Sequence, residues 1–133
     1  MHRKAILQWA AAHIEKADLS SALRSKALRE LERYFSGSCS CRMDVPLPGT
    51  AFQRLVWRSL IRVPFGHTIT YGELATRIGH PRAARAVGTA LRKNPLPILV
   101  PCHRVVPASG GIGEYVGGTP RKRWLLQFER TGR

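Results

Sequence analysis

Apolar residues recur at helical spacing along most of this chain. In residues 2–16, Ile6, Leu7, Trp9, Ala10 and Ile14 gather on one side, and in residues 20–36 Leu23, Ala27, Leu28, Leu31 and Phe35 do the same before Gly37 stops the run, so two helices are predicted. Residues 39–49, with Pro46, Pro48 and Gly49, read as a linker. Beyond it, Phe52, Leu55, Val56 and Leu60 predict a helix ended by Pro64, with Trp57 in the same core. Thr70 and Glu73 have capping-box spacing, Leu74 and Ile78 give an inward stripe, and Gly79 closes that helix. Pro81 suits the first turn of the next helix, where Ala84, Val87, Gly88 and Leu91 share one face and Arg82, Arg85, Thr89 and Arg92 the other. Two short helices joined by a tight turn read as a helix-turn-helix. Trp124, Leu125 and Phe128 predict a final helix, capped by Thr119 with Pro120 at its first position. Only residues 68–71 and 98–100 remain as candidate strands, so the expected class is mainly α with short strands.

A chain of 133 residues allows one domain of moderate core, or a domain with a helical appendage. The linker sets the expected division: residues 1–46 as a helical segment, residues 47–133 as the functional domain. Charge separates the two parts further. Lys and Arg number 22 against 8 Asp and Glu, and after Val45 the only acids are Glu73, Glu114 and Glu129. The excess positive charge therefore lies with the helix-turn-helix, whose outer face is cationic and low in bulk, and this suits a polyanion such as nucleic acid. For charge alone, an ordinary solvated basic face is the plainer reading. A membrane partner is not expected, since no long apolar segment, signal peptide or basic amphipathic helix with exposed aromatics is found.

Candidate chemistry centres on Pro101-Cys102-His103-Arg104-Val105. A cysteine reacts as thiolate, and a neighbouring base that takes its proton, directly or through water, makes it a nucleophile near neutral pH. Alone, the pair reads first as structural, because buried free cysteine is common. Three cysteines, with Cys39 and Cys41 too close to pair readily, point to a reducing cytosolic compartment. No second Cys/His pair stands at zinc-finger spacing from Cys39-x-Cys41, so no metal or other cofactor is expected. The glycine-rich run 109–118 lets backbone approach a ligand closely, but it lacks the strand-to-helix context of a phosphate loop. Glu129, after Phe128 on a helix that must dock on the core, can reach His103 and orient it.

The order of motifs from Leu47 to Glu129 resembles the O6-alkylguanine-DNA alkyltransferases. It is carried by Phe52-Gln53-x-x-Val56-Trp57, Tyr71-Gly72-Glu73-Leu74-Ala75, Ala84-Arg85-Ala86-Val87-Gly88, Asn94-Pro95-x-Pro97-Ile98, the Pro-Cys-His-Arg-Val core, and Tyr115-x-Gly117-Gly118 with Trp124-Leu125-Leu126. The resemblance implies a winged-helix-like C-terminal alkyltransferase domain that acts as a monomer on double-stranded DNA, in the cytoplasm or on nucleoid or nuclear DNA. It implies repair of O6-alkylguanine, and of O4-alkylthymine as a further substrate, by single-turnover transfer to Cys102 after base flipping from the minor groove. Cys102, His103, Glu129 and Asn94 would form the catalytic group, with Asn94 at the hinge before the active-site turn. Tyr71, Gly72, His80, Arg85, Arg92 and Ala108 would contact DNA, Arg85 filling the vacated stack. Tyr71, Pro97, Val105, Tyr115, Val116 and Gly117 would shape the pocket.

The chain also departs from the family. Members usually carry an N-terminal β-sheet domain, whereas residues 1–46 read as helix and only residues 20–36 resemble the helix that normally closes it. Val116 stands where Ser or Ala is more usual, and Glu114 puts an acid beside the DNA path. Two other classes compete with a transferase. A lesion sensor or helix-turn-helix regulator needs the basic face and the pocket without the thiol. A cysteine hydrolase would use Cys102, His103 and Glu129 as a triad, but adjacent Cys and His leave the imidazole poorly placed for it.

Overall fold

A computed structural model describes residues 2–37 and 47–132; Cys39, Cys41 and most of the linker, and with them the readings made on that pair, lie outside the described residues. Helices α1 (Arg3–Lys16) and α2 (Ser21–Phe35) pack on each other. The His2 ring accepts from the Ala5 amide to open α1, and Ser20 Oγ accepts from the Leu23 amide, 3.2 Å away, to open α2. Four-residue spacing puts Ile6, Ala10 and Ile14 on one buried face of α1, against a buried face of Ala27, Leu31, Tyr34 and Phe35 on α2. Arg24 ties the pair by donating to the carbonyls of Ala17 (2.9 Å) and Ile14 (3.4 Å), at the end of α1 where helical partners run out.

Helix α3 (Ala51–Ile61) starts at a reciprocal capping box between Thr50 and Gln53. It buries Val56, Trp57 and Leu60, each such side chain contributing about 1.5–3 kcal/mol. Leu55, expected in the stripe, is 39% exposed, because the arc centred on Val56, Trp57 and Leu60 turns it outward. Trp57 Nε1 donates to the Ala90 carbonyl at 3.0 Å and so pins α3 to helix α5 (Ala84–Arg92). Helix α4 (Tyr71–Arg77) has the expected Thr70–Glu73 capping box, and Gly79 takes the left-handed conformation (φ +81°) beyond its end. The helix-turn-helix is therefore α4 and α5, but α5 starts later than Pro81 suggests. His80, Pro81 and Arg82 form the turn between the helices, closed by the Ala83 amide on the His80 carbonyl at 2.9 Å.

Two sequence expectations are corrected here. Residues 98–100, read as a candidate strand, lie in a turn, with Val100 in an isolated bridge to Pro97; the second strand is β2 (Val105–Val106), parallel to β1 (Ile69–Thr70), with Ile69 opposite Val105. Helix α6 (Thr119–Thr131) has Gly118, at φ +88°, as its cap, with Thr119 and Pro120 as its first helical residues and no side-chain cap. The chain turns into α6 through a backbone conformation that glycine adopts cheaply and threonine does not. The fold is thus mainly helical with a small parallel sheet. Helix α2 shares a core with α6: Tyr34 packs on Phe128 and Phe35 on Trp124, with ring centroids 5.5 and 6.0 Å apart. No helix among the described residues is long and apolar enough to cross a membrane.

Candidate active site

Between α5 and β2 the chain makes the turn that carries the thiol. Proline at 95, 97 and 101 removes backbone donors, so a strand could not be laddered here. Asn94, buried at the end of α5, substitutes for the ladder. Its Nδ2 donates to the Val100 carbonyl (2.8 Å) and to Cys102 Sγ (3.0 Å), and its Oδ1 accepts from the Leu96 amide (2.9 Å). Within this clamp Ile98 has φ +78°, the one positive φ outside glycine among the described residues. A β-branched residue there costs on the order of 1–3 kcal/mol and persists because the turn is over-determined.

Cys102 opens a single 3-10 turn, Cys102–Arg104, and its thiol is free and 4% exposed. Burial pushes the thiol up to about 11, with the Asn94 hydrogen bond opposing it. Burial thus favours the protonated thiol in the resting protein at neutral pH. Desolvation is the largest cause. His103 Nε2 is paired with Glu129 Oε2, while its Nδ1 is buried without a hydrogen-bond partner among the described residues. Burial lowers the imidazole and outweighs Glu129, so the ring is neutral. A carboxylate only accepts, so Nε2 carries the ring proton and Nδ1 is left as the base.

Glu129, near the end of α6, is held at every lone pair the protein can reach. Arg104 Nε donates to Oε1 at 2.8 Å and Nη2 to Oε2 at 3.1 Å, the Gly66 amide donates to Oε1 at 3.1 Å, and the Tyr34 hydroxyl donates to Oε2 at 2.6 Å. Burial works to raise this carboxyl, but the His103 imidazole and the Arg104 guanidinium hold it well below the ordinary carboxylate range. Arg104 is anchored in turn by Nη1 on the Val63 carbonyl at 2.6 Å. Neither Tyr34 nor Arg104 nor Gly66 was assigned a role from sequence. Arg104 sits in the Cys-His-Arg motif, and Tyr34 on the inward stripe of α2 three residues after Leu31, so both were visible only as motif and core residues.

A cleft partly open to solvent lies over the sulfur, lined by Tyr71, Gly88, Leu91, Arg92, Cys102 and the segment from Glu114 to Val116. Tyr71, Tyr115 and Val116 stand in its wall; Pro97, Val105 and Gly117 are buried and do not line it. The Val105 carbonyl accepts from buried Lys122 Nζ (2.6 Å), which also donates to the Glu114 carbonyl (3.0 Å) and so staples the wall to β2. Lys122 is inward on α6, a position where lysine itself is the signal, and burial draws its ammonium down to about 8. Behind Gly117 stands Trp9 of α1: a Cβ there would lie 2.5 Å from the indole, so only glycine fits. Trp9 also packs on Tyr115, with centroids 5.8 Å apart, and carries the Arg121 guanidinium 5.0 Å over its ring, so that cation is a brace and not a free surface charge.

Beside the cleft runs the cationic face. Arg82, Arg85, Thr89 and Arg92 are all exposed, and the Arg85 guanidinium has no ion pair or hydrogen bond among the described residues. Gly72, His80 and Ala108 are exposed as well, His80 with its ring against Phe52 at 5.7 Å. Glu114 lies 3.7 Å from Arg92, with both side chains more than half exposed, a pairing worth little in water.

A family model described as 6-O-methylguanine DNA methyltransferase, DNA binding domain, matches residues 51–131. The methylated-DNA–protein-cysteine methyltransferase of Mycobacterium tuberculosis is 48% identical over 108 residues, 80% of this chain and 66% of that protein. The crystal structure of Mycobacterium tuberculosis OGT in complex with DNA superposes with a TM-score of 0.73 at 49% identity, covering 81% of this chain and 66% of that one. Atl1 of S. pombe, in complex with damaged DNA containing O6-carboxymethylguanine, gives 0.54 at 32% identity, over 62% of this chain and 79% of its own. The chain thus spans 66%, just under two thirds, of the mycobacterial methyltransferase it matches.

Proposed function

The chain belongs to the 6-O-methylguanine DNA methyltransferase family, and from that premise we propose that it repairs duplex DNA by moving an alkyl group from guanine O6 onto Cys102, once per molecule. The observation that carries this reading is a buried thiol at the base of a cleft, next to a neutral imidazole whose buried Nδ1 has no hydrogen-bond partner among the described residues, and beside an exposed cationic helix face. The thiol proton passes to His103 Nδ1 through a water, for which the unpartnered nitrogen is an open acceptor. The sulfur then attacks the alkyl carbon, the carbon–O6 bond breaks, and guanine leaves as its neutral lactam once a proton reaches the ring. Tyr71, whose phenol burial keeps protonated, is placed in the cleft wall to donate to the base. Glu129 steadies the imidazolium that forms. This work needs a reduced thiol and access to DNA, which suits the cytoplasm or DNA of the nucleoid or nucleus.

Mixing the protein with duplex containing O6-methylguanine and reading its mass tests this. One methyl group per chain, on the peptide bearing Cys102, is expected, because a thioether has no group nearby that could hydrolyse it. Repeated turnovers, or label on Cys39 or Cys41, would overturn the reading.

Arg85 is the proposed wedge. It is the long, unpaired probe at the centre of the α5 face, and filling a vacated stack offsets an unstacking cost of a few kcal/mol. Arg85→Ala is expected to slow transfer from duplex by about ten- to a hundredfold, about 1.4–2.8 kcal/mol, and to leave transfer from free O6-alkylated guanine base nearly unchanged. Equal losses on duplex and base refute the wedge.

A further inference from the structure

We propose that Tyr34, on helix α2 and outside the residues that match the family model, is a positioning residue that sets the basicity of His103 through Glu129. The inference rests on the alkyl-transfer reading above and deepens it. Tyr34 is 1% exposed, and its hydroxyl donates at 2.6 Å to Oε2, the same carboxylate oxygen that receives the His103 ring proton. Three donors share that oxygen and compete for its electron density: the Tyr34 hydroxyl, His103 Nε2 and, at 3.1 Å, Arg104 Nη2. The more the phenol draws, the less that oxygen favours a charged imidazole, and the more readily His103 stays neutral and able to take a proton.

The ring has no freedom to abandon this bond. It is edge-on to Phe35 and Phe65, with centroids 5.1 and 5.6 Å away, tilted against Phe128 at 5.5 Å, and edge-on to the His103 ring itself at 6.5 Å. Burial, and then the Glu129 charge, raise the phenol well above its ordinary value, so it remains a donor at every working pH. The other charged and titratable groups that face His103 are Glu129 and Lys122 from α6, Arg104 and Cys102 from its own turn, and Tyr115 from the cleft wall. Of these, Arg104 and Lys122 oppose an imidazolium by charge, and Glu129 favours it. Tyr34 acts on that balance without carrying charge, from a helix 95 residues away in sequence from the carboxylate.

Tyr34→Phe removes the hydroxyl and keeps the ring packing. With this competing donor gone, Oε2 stabilises the imidazolium better. The His103 titration, followed by nitrogen NMR on the resting full chain, is expected to move up by about half a unit to one unit, and the acid limb of methyl transfer to move up with it. Incorporation of 3-fluorotyrosine at position 34, a stronger donor of the same shape, is expected to move both the other way. Opposite shifts in the two proteins are the signature of tuning through the hydrogen bond, which a merely structural tyrosine would not give. A His103 midpoint unmoved in both overturns the proposal. The titration needs no substrate, so failure of native protein to acquire a methyl on Cys102 overturns the transfer reading alone, and normal methylation with an unmoved midpoint overturns the role of Tyr34 alone.

Discussion

Cys102→Ala is expected to abolish methyl transfer while binding to alkylated duplex stays within about twofold of the native protein, because the thiol is a small buried group and the DNA-facing cations lie elsewhere. The substitution removes the acceptor of only one Asn94 hydrogen bond; Nδ2 keeps the Val100 carbonyl and Oδ1 keeps the Leu96 amide, so the turn holds. The measurement pairs fluorescence anisotropy on duplex containing O6-methylguanine with mass spectrometry of both partners. Lesion lost from the DNA by the variant would remove Cys102 from the chemistry. Full biological rescue by the variant would instead favour a sensor that binds lesions without transferring them.

His103→Ala and Glu129→Gln are expected to lower transfer at pH 7 by about a hundred- to ten-thousandfold, the usual contribution of a positioned general base. Recovery with pH is the sharper test. A sulfur pushed up to about 11 by burial, once deprived of its base, gains rate only as hydroxide ionises it, so these variants should accelerate by about tenfold per pH unit on the alkaline side. The native protein should be flatter there, because its neutral imidazole already takes the proton. Unchanged rates at pH 7 in both variants would remove the pair from the mechanism.

Glu129→Gln is expected to cost stability as well. Arg104 would keep a buried charge with no counter-ion, a loss of about 3–5 kcal/mol, and calorimetry should show the melting temperature fall accordingly. The native carboxyl is held below its unfolded value, so its stabilisation is complete above about pH 4.3 and lost as pH falls below that. His103, lowered by burial, adds loss in the same direction from about pH 6.5 downward. The variant should therefore lose the steeper, more acidic part of the native melting profile and keep the upper part. A melting profile identical to the native one would mean that Arg104 finds another partner.

Much of the molecule was legible from local pattern. The capping box at Thr70 and Glu73, the stop at Gly79, the helix pair before the linker and the cationic face of α5 all follow from spacing within a few residues, where backbone hydrogen bonding and side-chain periodicity act directly. The same locality marked Cys102 and His103 as neighbours, and an inward helix face carried Glu129 to the imidazole.

What stayed out of reach was set between segments distant in sequence. The partner of β1 is Val105–Val106 because the Asn94 clamp and the prolines fold residues 94–101 into a turn, and no period in the sequence encodes that choice. Tyr34 meets Glu129, and Trp9 meets Gly117, only because α1 and α2 pack against the final helix and the cleft wall, and Gly66 meets Glu129 only because the segment between α3 and β1 crosses the same helix. The state of the thiol was decided the same way. Adjacency to His103 marked Cys102 as a nucleophile, but only the fold shows how deeply the sulfur is buried, so that desolvation raises it, and that the imidazole Nε2 is taken by Glu129. Sequence determines which groups are close along the chain; how dry each group is, and which partner it faces, depends on packing across the whole core.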